Sequence, residues 1–196
     1  YSESEQEFIS IILEEVDRLN SVVCQFLDYA RPLRDGFGLA DVHQILQRTL
    51  QLLEVEEHLM NRTIINQTLE EDIPLIYADP EQLKQVFINI IHNAFESMPE
   101  GGTLFIETEL VGELDNPMIE ISFIDEGEGI PPDILKNIFI PFYTTKEKGT
   151  GLGLSICQRI IEHHGGTIQI QSNPGEGAYI SISLPVKRLE QKVSRC

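Results

Sequence analysis

The first thirty residues place apolar side chains alternately three and four positions apart, with charged side chains between them. This heptad spacing is typical of a helix in a coiled-coil-like bundle, and it predicts a helix over 8–30 that ends before Pro32. One amphipathic helix cannot bury such a seam alone, so we expect a partner helix; packing against the following domain is the alternative. The seam consists of Ile9, Ile12, Val16, Leu19, Val23, Phe26 and Ala30.

Beyond a short predicted linker at 33–36, the apolar pattern alternates between the periods of strands and helices. It predicts strands at 37–42, 63–69, 73–78, 103–110, 118–125, 167–171 and 178–185. It predicts helices at about 42–58, 80–98 and 152–164, and a short helix that opens at 131–133. We therefore expect an α+β domain over 37–187, a two-layer sandwich with a mixed sheet, preceded by the long helix of 1–32 and followed by a polar tail at 188–196.

The chain is strongly acidic: 14 basic and 32 acidic side chains give a net charge of −18. Such a charge argues against general nucleic-acid binding, which depends on neutralising phosphates. No run approaches the roughly 20 apolar residues of a membrane span, and three cysteines form no disulfide pattern. We expect a cytoplasmic location, and, because the sequence does not begin with Met, a longer protein that can carry a membrane anchor elsewhere.

Residues 149–155 are rich in glycine and run directly into the last predicted helix. Alternating glycines let the backbone approach a ligand closely, and the N-terminus of a helix offers free N–H groups to phosphate. A second glycine pair, Gly127 and Gly129, follows Asp125 upstream. Together these segments predict a nucleotide site with a mobile loop between its two halves.

A polar stripe interrupts the otherwise apolar helix predicted at 80–98. Its spacing of three and four residues places the stripe on one helical face. Amide oxygens can complete the coordination shell of Mg²⁺, which takes phosphate oxygens and water for the rest. The stripe therefore indicates a metal and phosphate surface, with a plain solvent-facing surface as the alternative. Its members are Gln82, Gln85, Asn89, Asn93 and Glu96.

Asp125 closes an apolar strand, and the aromatic loop that follows further on ends in lysines. A buried carboxylate at Asp125 can accept a hydrogen bond from the exocyclic amino group of adenine, whereas guanine presents a carbonyl there; a turn aspartate is the alternative. Phe139 and Phe142 anchor a loop whose Lys146 and Lys148 can meet phosphates. An ordinary surface loop with a hydrophobic foot is the alternative for that segment.

The order of these motifs, N-x-x-x-N, D-x-G-x-G, F-x-P-F and G-x-G-x-G, resembles the catalytic and ATP-binding domain of sensor histidine kinases over 37–187. That domain belongs to the ATPase superfamily of gyrase, heat-shock chaperones and mismatch-repair proteins. Segments 138–146, 149–155 and 175–179 look most like the nitrogen-regulation type. Residues 15–32 resemble the second helix of that family's dimerisation and histidine-phosphotransfer domain.

The resemblance implies Asn93 on Mg²⁺, Asn89 near the phosphates, Asp125 on adenine, and the loop at 149–153 around the triphosphate of ATP. It implies catalytic roles for Asn89 and Lys146. The full set of expected nucleotide-binding residues is Asn89, Asn93, Asp125, Gly127, Gly129, Ile130, Phe139, Phe142, Thr144, Thr145, Lys146, Lys148, Gly149, Thr150, Gly151, Leu152, Gly153 and Leu154.

Position 89 separates branches of this superfamily, because ATP-hydrolysing members carry a glutamate there as general base for water. An amide cannot take up a proton at neutral pH. With Asn89 in place, water attack should be slow, and phosphoryl transfer to a histidine should depend on positioning and charge neutralisation. The family's acceptor histidine lies in a His-Glu/Asp motif that none of the five histidines fits, so we expect it upstream of Tyr1.

The predicted function is thus the ATP-binding catalytic part of a protein histidine kinase that finally passes the phosphoryl group to a response-regulator aspartate. Expected partners are the histidine-containing helix of the same protein, a second copy through 8–30 in a homodimer, and a receiver domain, with no nucleic acid or membrane contact. Two alternatives remain open. One is an ATPase or serine kinase of the same fold, and the other is a nucleotide-gated binding or dimerisation module without transfer activity.

Overall fold

A long helix precedes the rest of the structure, as the heptad pattern predicts. A computed structural model of the chain describes residues 3–30, 36–54, 63–146 and 149–186, and its first element is α1 (Glu3–Ala30). The seam side chains from Ile9 to Phe26 are 45–57% exposed, so the alternative in which they are buried against the following domain is wrong. Most of the predicted linker and the predicted tail lie outside the described residues.

The domain after α1 combines a small sheet, a larger sheet and a layer of helices. Its helices are α2 (Val42–Glu54), α3 (Pro80–Ser97), α4 (Pro132–Leu135) and α5 (Gly153–His163). Its strands are β1 (Gly38–Ala40), β2 (Thr63–Leu69), β3 (Ile76–Ala78), β4 (Gly102–Glu113), β5 (Asn116–Asp125), β6 (Thr167–Ser172) and β7 (Ala178–Pro185).

The larger sheet is mixed, as the sequence predicts. Within the described residues it has five strands in the order β2-β4-β5-β7-β6. Strands β2 and β4 pair in parallel, which requires the crossover through α3, while the other pairs are antiparallel. Strands β1 and β3 form a separate antiparallel pair. The α+β two-layer fold is therefore confirmed.

The core lies between the larger sheet and its helices. Alternate side chains of β4, β5 and β7 face the helices, because successive residues of a strand point to opposite faces. Phe87 of α3 packs on Phe123 of β5 with ring centroids 5.8 Å apart. Sheet side chains that are almost completely buried there are Leu104, Ile106, Ile119, Ile121, Phe123, Ile182 and Leu184.

Helix α3 begins where its sequence predicts, at the Asp79-Pro80 step. Asp79 is the N-cap, and its Oδ1 accepts hydrogen bonds from the backbone N–H groups of Glu81 (3.0 Å) and Gln82 (3.2 Å). Its Oδ2 accepts a third from the side-chain amide of Gln82 at 2.7 Å. These bonds satisfy backbone donors that the first helical turn leaves without partners, so they fix the start of the helix that carries the polar stripe.

Five elements differ from the sequence prediction by more than one residue at an end. Helix α1 begins at Glu3, five residues before its predicted start. The strands predicted at 37–42 and 73–78 are the three-residue pair β1 and β3, because only these residues meet across the two segments. Strands β4 and β5 are longer than predicted, since they continue as a hairpin to the turn at 114–115. Helix α2 is described as far as Glu54, so its predicted end at 58 lies outside the described residues.

We expect Asp79→Ala to lower the free energy of unfolding by about 1 kcal/mol, because the helix loses its N-cap acceptor. Urea denaturation followed by circular dichroism measures this change. Asp79→Asn is the matched control, because asparagine also accepts at the N-cap and should retain most of the stability. Equal stability of the alanine variant and the unchanged chain would show that the cap contributes nothing.

Candidate active site

One face of helix α3 gathers the predicted site residues from separate parts of the chain. The side-chain amide of Asn89 donates to the carbonyl oxygen of Gly153, at the start of α5, over 3.3 Å. One turn further along, Asn93 Oδ1 lies 3.4 Å from Lys146 Nζ, which donates to it. The helix therefore brings the glycine-rich segment and the lysine loop to neighbouring turns of a single surface.

The same helix meets Asp125 near its C-terminal end. Ser97 Oγ donates to Asp125 Oδ1 over 3.2 Å. From Asn89 to Ser97 the helix rises about 12 Å, at roughly 1.5 Å per residue. The polar stripe thus leads from the start of α5, past Lys146, to the carboxylate of Asp125, in the order that an extended ligand with one phosphate end and one base end needs.

Asp125 is held rigidly through one of its two carboxylate oxygens. It is 7% exposed at the end of β5. Besides the Ser97 hydroxyl, Oδ1 accepts from the backbone N–H groups of Gly127 (2.9 Å) and Ala178 (3.2 Å). Oδ2 takes none of these three hydrogen bonds. The arrangement therefore fixes the side chain through one oxygen and keeps the other as an acceptor.

Burial raises the pKa of the Asp125 carboxyl above its ordinary value. The hydrogen bonds from Gly127, Ser97 and Ala178, and the positive charge of Lys146, act in the opposite direction and partly offset that rise. Desolvation is the largest of these effects, because the strand end lies under the helix. A carboxylate kept in such a place at a cost is more typical of a ligand contact than of a solvated turn.

Gly127 is required by the close approach of α3. A Cβ at this position would lie 2.3 Å from Ser97 Oγ and 2.7 Å from Asp125 Oδ1. Any larger residue would therefore displace the hydrogen bond that joins α3 to the carboxylate. Gly127, the first glycine of the D-x-G-x-G motif, thus allows close packing at the site. Ile130, which follows the second glycine of the motif, donates its backbone N–H to Ser172 Oγ at 2.8 Å.

The glycine-rich segment is closed by a backbone contact with the aromatic loop. Phe142 N donates to the carbonyl oxygen of Gly151 over 2.9 Å. Gly151 has φ +68°, and a Cβ there would lie 2.5 Å from the carbonyl carbon of Phe142. Phe142 itself has φ +66°, a left-handed conformation that is strained for a bulky side chain and typical of functional loops.

The N-terminus of α5 has no side-chain cap. Leu152 is the N-cap residue, and its apolar, fully buried side chain makes no capping hydrogen bond. The first N–H groups of a helix have no partner within the helix, and they carry the positive end of its dipole. Since Asn89 touches Gly153 here, a phosphate bound at this end would also lie near the polar stripe.

Lys146 is a basic side chain that the structure brings to this surface. Besides Asn93, its ammonium group pairs with Glu96 Oε2 at 2.5 Å. The backbone N–H of Lys146 donates to Thr144 Oγ1 at 3.1 Å, which shapes the loop, and Thr145 beside it is exposed. Lys148, the other predicted lysine, lies outside the described residues.

The two phenylalanines lie away from the polar stripe. Phe142 is 56% exposed, and its ring centroid lies 6.4 Å from that of Phe26 in α1. Phe139 lines a small groove of about 290 Å³ together with Pro141 and side chains of α5 such as Gln158. In this structure they anchor the loop on its α1 and α5 sides, and their predicted role in nucleotide binding stays a prediction.

The remaining predicted residues lie within the glycine-rich segment or beside it. Gly149 N donates to the Lys146 carbonyl at 3.1 Å, and Thr150 Oγ1 lies 3.4 Å from Leu152 N, which donates to it. Leu154, in the first turn of α5, is partly buried. These residues build the loop that links Lys146 to the helix N-terminus.

Sequence reasoning missed two groups that the site uses and one pairing between residues that it had named. Ser97 follows Asn93 by four residues, so the stripe's own spacing could have revealed it. The pairing of Glu96 with Lys146 joins residues far apart in the sequence and has no periodic signal. The backbone N–H of Ala178 has no side-chain signature, and only the pairing of β5 with β7 places it at Asp125.

A larger cavity of about 390 Å³ lies on the opposite face of the sheet. Its lining includes three glutamates of β4 and β5, Glu107, Glu109 and Glu120. The negative charges of these glutamates repel a polyphosphate, so this cavity does not suit a triphosphate.

Known proteins share this fold. Residues 78–188 match the family described as histidine kinase-, DNA gyrase B-, and HSP90-like ATPase. The chain belongs to this family. It is 42% identical over 181 residues to sporulation kinase E of Bacillus subtilis (strain 168), a match that covers 92% of this chain but 24% of that kinase. It therefore spans about a quarter of the length of that relative.

Solved structures of histidine kinases superpose on the chain. The catalytic domain of histidine kinase ThkA is 32% identical with a TM-score of 0.64, covering 76% of this chain and 95% of that one. ThkA in complex with response regulator protein TrrA gives a TM-score of 0.74 at 29% identity, covering 95% and 53%. Full-length ShkA in complex with AMPPNP gives 0.78 at 23% identity, covering 95% and 40%, and shares the fold.

These likenesses establish a catalytic ATP-binding domain of the histidine kinase type. The sequence prediction of the fold and of the family is therefore confirmed, while the nitrogen-regulation subtype stays a prediction. None of the described helices is both long enough and apolar enough to cross a bilayer.

The raised pKa of Asp125 predicts how the free energy of unfolding of the ligand-free protein depends on pH. The folded state holds the proton more tightly than the unfolded chain, whose aspartate pKa is about 3.9. Stability contributed by the protonated form is therefore lost as the pH rises through the raised folded pKa. We expect the free energy of unfolding of the unchanged chain to fall relative to Asp125→Asn over that window, measured by urea denaturation at several pH values.

Asparagine in place of Asp125 keeps an acceptor oxygen for the three donors, so the comparison isolates the charge. A difference between the two proteins that stays constant from acid to neutral pH would contradict a raised folded-state pKa. Asp72→Asn, at an exposed turn position, is the control for the general effect of removing one negative charge.

Proposed function

We propose that this chain is the ATP-binding catalytic part of a two-component sensor histidine kinase. In the whole protein it transfers the γ-phosphoryl group of ATP to a histidine upstream of Tyr1, and a response-regulator aspartate receives it next. The observation that carries this proposal is the single surface along α3 that joins Asp125, Asn93, Lys146 and Asn89. The solved complex of the similar kinase ThkA with a response regulator supports the second transfer.

Asp125 selects adenine in this proposal. The carboxylate oxygen Oδ2, which none of the three fixing hydrogen bonds uses, accepts from the exocyclic amino group of the base. Guanine would place a carbonyl oxygen against it, and two acceptors cannot form a hydrogen bond. Leaving a buried polar group unsatisfied costs about 1–3 kcal/mol, which is enough to discriminate between ATP and GTP.

The residues present fit a Mg²⁺ ion at Asn93. Magnesium prefers oxygen ligands, and Asn93 Oδ1 already lies 3.4 Å from the ammonium group of Lys146. This surface thus already holds a cationic group, and Glu96 adds a negative charge one turn away. Asn93 would hold the ion, which when bound supplies positive charge to the phosphates.

The triphosphate binds between Lys146 and the N-terminus of α5. The free N–H groups of the first helical turn and the backbone of Gly151 and Gly153 supply donors. Lys146 supplies charge, which an acidic chain must provide locally. This arrangement assigns the predicted loop residues 149–154 to the phosphates.

Asn89 keeps water from competing with the acceptor histidine. Its amide cannot remove a proton from water, and its Nδ2 is engaged with the Gly153 carbonyl. The imidazole nitrogen of the acceptor attacks the γ-phosphorus, a P–N bond forms, and the bond to the ADP oxygen breaks. Because no base is needed for an unprotonated imidazole nitrogen, the rate depends on positioning and charge neutralisation by Lys146.

Several histidines of this chain are engaged structurally, which supports an acceptor outside it. His164 is 3% exposed; its Nδ1 donates to the Ile160 carbonyl at 2.8 Å, and its Nε2 accepts from Asp79 N at 3.0 Å. His43 Nε2 lies 2.9 Å from Thr108 Oγ1. The acceptor helix, a second copy that meets the exposed seam of α1, and a cytoplasmic location remain parts of this proposal.

We expect Mg-ATP to bind more tightly than Mg-GTP, and Asp125→Asn to lose ATP binding by at least tenfold. In the variant the remaining side-chain oxygen keeps the three fixing donors, so the newly introduced NH₂ group opposes the amino group of adenine. Isothermal titration calorimetry measures both effects. Asp72→Asn is again the matched control, and an unchanged affinity for ATP in Asp125→Asn would contradict the assignment of Asp125 to adenine.

We expect the chain not to label itself with γ-labelled ATP but to label a supplied bundle fragment that contains the upstream histidine. The product should be acid-labile and base-stable, as a phosphorylated imidazole is. Autoradiography of gels of the incubated mixture measures the transfer, with a His→Ala bundle fragment as control. ATP binding without any such label would favour the nucleotide-gated module, and rapid phosphate release would favour an ATPase.

A further inference from the structure

One ion pair occupies the surface where the proposed metal and phosphates bind. Lys146 Nζ pairs with Glu96 Oε2 at 2.5 Å and donates to Asn93 Oδ1 at 3.4 Å. Asn93 and Glu96 are three residues apart on α3, so they lie on one face. The ammonium group of Lys146 therefore sits at a cation position formed by two neighbouring oxygen-bearing side chains.

The charges around this position explain why it holds a cation. Glu96 contributes a full negative charge and Asn93 a carbonyl dipole. The positive charge of Lys146 also reaches Asp125, where it offsets part of the rise in pKa that burial causes. The chain as a whole carries a net charge of −18. Without a cation at this point, the stripe would repel the phosphates that the proposed function brings to it.

We propose that Lys146 and Mg²⁺ are alternative cations at the position formed by Asn93 and Glu96. This inference rests on the proposed function. In the free domain the lysine neutralises the position. With Mg-ATP bound, Asn93 and Glu96 would hold the metal, and Lys146 would be free to pair with the phosphates. Glu96, which no nucleotide contact requires, thereby sets how strongly nucleotide binding depends on Mg²⁺.

The ion pair between Lys146 and Glu96 is weak enough for a ligand to displace it. The side chains of Lys146 and Glu96 are 43% and 51% exposed, and ion pairs in such places add little to stability because water screens them. A triphosphate with its metal offers Lys146 more negative charge than one carboxylate does. The ligand can therefore displace the pair, while a buried pair would lock the lysine.

The test compares the unchanged chain with Glu96→Gln by calorimetric titration of ATP, once with excess Mg²⁺ and once with EDTA. Without metal, the variant should bind ATP about two- to fivefold more tightly, because Lys146 no longer has a competing carboxylate. The factor by which Mg²⁺ tightens ATP binding should shrink in the variant. Adenosine, which has no phosphates, should bind equally to both proteins.

A matched control separates the exchange from a general charge effect. Glu81→Gln removes one negative charge from the same helix and breaks the exposed pair with Lys84, and it should leave both affinities unchanged. In a Lys146→Met background, Glu96→Gln should lose most of its effect on metal-free ATP. An equal effect in that background, or a Glu96→Gln variant that behaves like Glu81→Gln, would overturn the exchange.

The outcomes also separate this inference from the proposed function. Failure of the unchanged chain to bind Mg-ATP would contradict both. Binding of Mg-ATP with the expected preference over Mg-GTP, combined with an Mg²⁺ dependence that Glu96→Gln does not alter, would contradict the exchange alone.

Discussion

The burial of one side of helix α3 against the sheet is the interaction on which the rest of the site depends. Residues such as Phe87 and Ile90 are completely buried, while Asn89 and Asn93 face the other way on the same turns. Successive residues are rotated by about 100° around a helix, so the packed side fixes the direction of each amide. A helix free to roll would separate the Gly153, Lys146 and Asp125 contacts at once.

Much of the fold could be predicted, because its elements are specified locally. The Asp79-Pro80 start of α3 and the glycine stop after α5, where Gly165 has φ +73°, follow from which residues can occupy those positions. The three-residue pair of β1 and β3 could not be delimited in the same way. Its length depends on where two distant segments meet, and no period in the sequence records that.

The site residues also differ in whether their roles follow from local sequence patterns or from tertiary contacts. Asn89, Asn93 and Asp125 were accessible to sequence reasoning, because their motifs combine a polar residue with a local pattern that explains it. The pairing of Lys146 with Glu96 and the donation from Ala178 to Asp125 were not, since both arise from tertiary neighbours. The structure also directs Phe142 toward Phe26 of α1, a contact between two segments that the sequence treats as separate.

Two features of the site are energetically unfavourable, and both are attached to helices that pack firmly in the core. Asp125 keeps a carboxylate where burial raises its pKa, and Phe142 keeps a strained backbone. Both are joined to α3 or to the start of α5, the helices whose apolar sides are buried in the core. Because Asn89 supplies no base, chemistry in the proposed function depends on where the acceptor is brought. The loop that carries Lys146 also carries Phe142, so the residue that touches α1 and the residue proposed to bind phosphate are parts of one segment.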